Sequence, residues 1–254
     1  MRRNLAIAFC VLVLCSSLLI LSVGTVTALN MDYSFDEYWA GAATIDGAWT
    51  TAEEWQIGMP HYIGDTQKGM FIMQANADSG GYWPEYVVEF ADSTQDAGDI
   101  IRVCMSVDTT ATAPESGVSV KVEIQGLTTK KVFDGTGSGW TDSSYASAVT
   151  TAATVTTTAH DPADHVVAEF SIQKENWGMA APPLGIFVGC YDATTDTWVT
   201  WPPEASADNP NTWGMISGYQ SEPYPEGLPI GLMLLVSSVA VVVSLRYFRK
   251  PPKL

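Results

Sequence analysis

Val118-Ser-Val-Lys-Val-Glu-Ile124 carries an apolar side chain at every second position, with Ser119, Lys121 and Glu123 between them. Side chains alternate between two faces along an extended chain, whereas a helix gathers residues three and four apart onto one face. The segment therefore reads as a strand with one face in a core and the other in water. Segments rich in β-branched and aromatic residues recur on either side, at 70–75, 86–90, 100–107, 165–172 and 184–191. In 165–172 the alternation is looser, with Ala168, Phe170 and Ile172 on one side. Ser79-Gly80-Gly81, Pro114-Glu115-Ser116-Gly117 and Asp134-Gly135 with the Thr-Gly-Ser-Gly run after it supply turn chemistry. Residues 141–158, rich in Ser, Thr and Ala, read equally as a linker or as edge strands through Val149 and Val155. No long window here has helical periodicity. Roughly nine or ten short strands make the expected fold all-β, a two-sheet antiparallel β-sandwich.

The ends of the chain differ from this middle. Met1-Arg2-Arg3 precedes an uncharged run from Leu5 to Val23, and Val26-Thr27-Ala28 offers small residues to a signal peptidase. A secretion signal over 1–28, cleaved after Ala28, is expected; an uncleaved N-terminal anchor is the alternative. Residues 228–245, LPIGLMLLVSSVAVVVSL, are uncharged throughout. As a helix they rise ~27 Å, most of a bilayer's hydrocarbon core. Arg246, Arg249, Lys250 and Lys253 follow at once, and positive charge beside a span stays in the cytoplasm. The expected organisation is a signal peptide (1–28), an ectodomain (29–216), a short stalk (217–227), a transmembrane helix in membrane lipid (228–245) and a basic cytoplasmic tail (246–254). That places the chain once through the cell membrane with its ectodomain outside.

All 28 acidic residues but only six of the 12 basic ones lie between the apolar ends, a formal charge of −22 over residues 29–227. Such a surface repels nucleic acid and anionic lipid. Of four cysteines, Cys10 and Cys15 fall in the signal, leaving Cys104 and Cys190. Two thiols outside a cell can form a disulfide. Against that, their flanking strands alternate differently, and Cys104 shares a face with Arg102 and Ser106. A bridge and two free thiols both stay open. There is no Asn-x-Ser/Thr acceptor for N-glycosylation.

The segment Thr44-Ile-Asp-Gly-Ala-Trp-Thr-Thr-Ala-Glu-Glu-Trp55 resembles the opening of family-9-like carbohydrate-binding domains. These overlap in fold with the DOMON-type sugar- or haem-binding sandwiches. In such domains an Ile-Asp-Gly turn precedes a Glu-Trp pair that packs at the sandwich edge. Tyr86-Val-Val-Glu-Phe90 with Asp92, Asp96 and Asp99 after it resembles their middle strand and acidic turn. His165-Val-Val-Ala-Glu-Phe-Ser-Ile172 resembles a late strand whose Glu is typical, and 184–203, ending Trp201-Pro202-Pro203, resembles the closing strands. The order of these pieces, over roughly 43–219, carries the likeness. The Pro-Glu-Gly227 entry to the apolar run and its Arg-Tyr-Phe-Arg-Lys250 exit resemble C-terminal anchors of archaeal surface proteins. The resemblance implies a binding module at a cell surface.

Candidate chemistry is sparse except in aromatics. His61, His160 and His165 accompany no Gly-x-Ser-x-Gly elbow and no His-Glu-x-x-His pair, so no enzyme is expected. Asp92, Asp96 and Asp99 form an oxygen-rich turn that reads as a calcium site, as in some of the resembled domains, or as a solvated acidic loop. Some DOMON-like relatives carry haem on Met or His; Met70, Met73, Met105 and Met179 are available, but Met also fills cores. Sugar sites stack aromatic rings on a pyranose and flank them with polar groups that read hydroxyls. Trp49 and Trp55 belong to the opening motif and read as structural. Trp83, Trp140, Trp198 and Trp201 lie in or beside turns and are the candidate platform, each weighed against a packing role at the sandwich rim. The leading expectation is a non-enzymatic, surface-anchored carbohydrate-binding module. A structural or adhesive surface protein that contacts neighbouring proteins is the alternative, and a haem-bearing redox domain stands third.

Overall fold

A computed structural model describes residues 33–220, apart from 52–53, 56–58, 65–67, 77–82, 95 and 180–181. The expected signal segment, transmembrane helix and cytoplasmic tail lie outside the described residues. No helix among the described residues is long and apolar enough to cross a membrane.

Among the described residues, thirteen strands follow in chain order. They are β1 (Ser34–Ala40), β2 (His61–Ile63), β3 (Gly69–Asn76), β4 (Trp83–Phe90), β5 (Ile100–Ser106) and β6 (Ser119–Gln125). After these come β7 (Thr129–Gly135), β8 (Trp140–Asp142), β9 (Val149–Thr156), β10 (His165–Ile172), β11 (Leu184–Asp192), β12 (Thr197–Trp201) and β13 (Gly214–Gln220). All six expected strands form. The Ser/Thr/Ala-rich stretch is an edge strand, β9, paired only with β10. The last strand runs to Gln220, four residues past the expected domain boundary.

Hydrogen bonding runs β8-β7-β6-β5-β11-β13-β1-β3-β4-β10-β9, with β12 added on β11 and β2 on β3. The ladder turns over at β1. Its first part, Ser34 to Tyr38, pairs with β13, and its last part, Tyr38 to Ala40, pairs with β3. A shift of register at Phe35/Asp36 marks the irregularity in this crossing strand. An eight-stranded sheet that includes β1 therefore faces a five-stranded one. Both pairings of β1 are parallel. The expectation of a purely antiparallel sandwich is corrected there: strands from opposite ends of the sequence meet, and no hairpin dictates their direction.

One core fills the space between the sheets. Phe71, Met73, Tyr86, Val88, Val166, Ala168, Phe170 and Ile172 from the smaller sheet meet Val103, Met105, Val120, Val122, Ile124, Ile186 and Val188 from the larger. The period-two pattern of 118–124 is thus directed inward as expected. Its other face is not in water, however: Ser119 and Glu123 are buried. Glu123 is held by Arg102 at 2.8 Å, and Ser119 Oγ lies 2.9 Å from Ser106 Oγ. A polar face can be covered when each group finds a partner, and this one does.

Both outer faces carry a covering segment. Over the smaller sheet, Ala43, Ile45, Trp49 and Trp55 pack on Met70, Ile72, Val87 and Val167. Over the larger, Ala205, Ala207 and Trp213 pack on Cys104 and Phe187. Cys104 and Cys190 are free, buried thiols. Cys104 sits in this outer cluster and Cys190 in the central core, so a bridge would have to pass through the sheet. The disulfide reading is overturned by that geometry.

Candidate functional site

The opening motif is pinned by one carboxylate. Glu169 Oε2 accepts from the backbone N–H of Asp46 at 2.8 Å and of Gly47 at 2.7 Å, while Oε1 accepts the Trp55 indole N–H at 3.1 Å. Gly47 has φ +84°, and a Cβ there would stand 2.9 Å from the Ala153 backbone, so only glycine fits. Burial raises the Glu169 carboxyl to about 7 against the pull of these three donors. A second buried carboxylate, Glu85, accepts from Ala43 N–H at 2.8 Å and from Asn76 at 2.9 Å. The motif resembled a turn packed at the sandwich edge; it lies instead across the outer face of the smaller sheet. This is scaffold.

The four candidate tryptophans separate. Trp201 is a core residue, only 5% exposed, with Tyr33, Phe35, His61 and Phe71 around its ring. Gly214 makes room for it, since a Cβ there would meet the ring at 2.3 Å. Its place in the platform is withdrawn. Trp140 is half-buried on the outer cluster, with its indole N–H donating to Asp208 at 2.8 Å and Lys121 Nζ 5.0 Å from its ring. Trp83 is half-buried at the start of β4, opposite Asn76.

Trp198 differs from all of these: it is 40% exposed. β12 pairs with β11 so that Trp198 stands opposite Tyr191, and the two rings lie 5.2 Å apart at 34°. The Arg102 guanidinium carbon lies 4.4 Å from the Trp198 ring centroid, and Glu123 fixes that guanidinium from the next strand. Gly189 leaves the space, because a Cβ there would stand 3.3 Å from the Trp198 ring. The ring is therefore supported by β5 and β11 and keeps open surface. Beside it runs a groove of about 510 Å³ lined by Thr197, Trp198, Thr200, Glu204, Lys68 and Gly64, among others. The supporting residues Arg102, Tyr191 and Glu123 were not foreseen. The hairpin around Asp192-Ala-Thr-Thr-Asp196 could have put Tyr191 opposite Trp198, but nothing local brings in β5.

The acidic turn acquires a partner from far along the chain. Oxygens of Asp92, Asp99 and Asp192 lie within 4.8 Å of one another. Asp92 Oδ2 is buried with no hydrogen-bond partner among the described residues. Three carboxylates with a spare oxygen fit a hard cation such as calcium. Asp96, expected as the third ligand, instead accepts the Thr194 hydroxyl at 2.7 Å. The four candidate haem ligands are packed: Met73, Met105 and Met179 in the central core, Met70 in the outer cluster.

The architecture is that of a β-sandwich with covered outer faces. It is similar to a carbohydrate binding module of family 9 from Caldicellulosiruptor kristjanssonii, solved in complex with glucose, at TM-score 0.51 and 11% identity over 76% of this chain and 99% of that one. A structure described as the same kind of module from that organism, in complex with cellotriose, gives TM-score 0.49 and 12% identity over 77% and 98%. No protein-family model matches the chain, and no curated protein does.

Proposed function

We propose that this domain is a non-catalytic carbohydrate-binding module whose stacking platform is Trp198. The observation that carries this reading is an open indole fixed from the sheet by Arg102, Tyr191 and Gly189 beside a polar groove. A pyranose presents an apolar C–H face and a rim of hydroxyls. An immobile ring supplies the first contact at little entropic cost, and fixed charged or hydroxyl groups read the second. Thr197, Thr200 and Glu204, which line the groove, are the groups available for that role. The fold shared with a glucose-bound module supports the reading.

The charge of −22 over residues 29–227 narrows the ligand to neutral glycans, because uronate or sulfate chains would be repelled. The two apolar ends support display at the cell surface, with the C-terminal run as the anchor. A glycan array probed with the purified protein tests the function, and failure to bind any neutral glycan would sink it. Recovery of a chain that retains 228–245 from the soluble fraction without detergent would sink the anchor.

A further inference from the structure

The free N–H and C=O groups of a sheet edge recruit another strand, and proteins guard against this by keeping the edge short, charged, bulged or covered. β9 has none of these devices. It is eight residues long, contains no proline or glycine, and pairs with β10 from end to end without a shift of register. No Asp, Glu, Lys or Arg occurs from 143 to 160, although the charge over residues 29–227 is −22. Among the described residues the other edges are guarded. β2 and β8 have three residues each, and β12 is met by Gly64, whose N–H donates to the Thr200 carbonyl at 3.2 Å.

β10 fixes which groups of β9 are free. The Val166 N–H points to the β4 side, where it donates to the Asp92 carbonyl at 2.8 Å. Backbone polar groups alternate in direction along a strand, so His165, Val167, Glu169 and Ser171 turn theirs toward β9. The register sets these four opposite Thr156, Thr154, Ala152 and Thr150. Val149, Thr151, Ala153 and Val155 therefore point their N–H and C=O groups off the sheet. Lys130 Nζ takes the Val149 carbonyl. The outward groups of Thr151, Ala153 and Val155 have no hydrogen-bond partner among the described residues. The side chains of Ala153 and Val155 pack on the core, so the outward row is held rigidly in place.

We propose that a second copy of this chain covers β9, the two strands running antiparallel about a two-fold axis at Ala153. Ala153 then lies opposite Ala153 of the other copy, and Thr151 opposite its Val155. Every free N–H and C=O of these three residues meets a complement, as an isologous contact requires. On the outer face Thr150 meets Thr156 and Ala152 meets Thr154, with no charge near another. That neutrality selects the occupant: copies of so acidic a chain repel one another except where they meet through an uncharged stretch. Pairing joins the two smaller sheets into one and leaves Trp198 open, past β2 at the opposite edge. A strand edge offers little area, so association is weak and concentration-dependent.

The full-length chain in detergent should sediment as a monomer–dimer equilibrium that shifts with concentration. Ala153→Pro removes only an N–H that points off the sheet, a place where proline is tolerated, and should weaken the dimer by about tenfold or more while the circular dichroism stays native. If that variant does not fold, Thr154→Glu on the outer face should weaken the dimer severalfold in a folded protein, by placing carboxylates within the pairing. Under mild oxidation Ala153→Cys should give a disulfide-linked dimer. Thr150→Cys should not, because its two copies stand ~20 Å apart along the strands. A monomer at every concentration overturns the pairing. So does a dimer unchanged in the folded variants, or equal cross-linking of the two cysteines.

Discussion

Trp198 and Trp201, three residues apart on β12, point to opposite faces of the same sheet. One lies over Gly189 and Arg102 in the open; the other fills the core against Phe71. Trp198→Ala should therefore cost ~2 kcal/mol of glycan binding, about thirtyfold, with the melting temperature nearly intact. Trp201→Ala should cost ~3–5 kcal/mol of stability and lose binding only through unfolding. Glycan affinity and thermal melting of the two variants, side by side, decide the matter. Equal loss of stability in both would remove Trp198 from the site.

The Glu169 anchor predicts a second asymmetry. In Glu169→Gln one oxygen can still serve the Asp46 and Gly47 amides, but the new amide N–H₂ faces a donor, the Trp55 indole. Leaving a buried donor unpaired should cost ~1–3 kcal/mol in urea unfolding. Gly47→Ala should cost a similar amount, and the double variant less than their sum, since both act on one turn.

His61 sets an acid limit. Its ring stacks with Phe35 at 4.1 Å and Phe71 at 5.0 Å, and burial lowers its pKa to about 4 from an ordinary 6.5. The fold favours the neutral ring, so this contribution is complete above pH 6.5 and drains away as pH falls toward 4. The difference in unfolding free energy between wild type and His61→Phe should shift in favour of the variant across that window. A difference independent of pH would show that His61 does not titrate as stated.

Calcium should stabilise the fold through Asp92, Asp99 and Asp192. A hundredfold excess over Kd contributes about 2.7 kcal/mol by mass action. Asp192→Asn should abolish the rise in melting temperature, whereas Asp96→Asn should leave most of it. An identical melting curve in calcium and in chelator would leave the cluster a solvated acidic corner.

The strands were legible because burial on one face imposes period two, which 118–124 and 165–172 display without help from the rest of the chain. The opening motif was legible for a related reason: its glycine, acid and tryptophan are set by local geometry, and Glu169 completes it from within a readable strand. What could not be read depends on pairings between distant strands. Trp198 and Trp201 have similar neighbours in sequence, and only the register of β12 on β11 tells them apart. Asp192 joins Asp92 and Asp99 because the β11–β12 turn comes to rest beside the β4–β5 turn, where Ala193 N–H donates to Asp99. The buried polar face of β6 was missed because its cover comes from β5 and from beyond β12.

β1 and β13 are the first and last described strands, and they run side by side in the same direction. The chain enters beside Met215 at one end of this pair and leaves beside Tyr38 at the other. Tension applied to the two ends would therefore slide the strands along one another in shear. The hydrogen bonds from Ser34 to Tyr38 would have to rupture together and not one after another, as they would if peeled. β1 also belongs to β3, so the same load reaches the second sheet. Pulled from its two described ends, the domain should resist with both sheets coupled, and its yield force in single-molecule pulling should be set by this one strand.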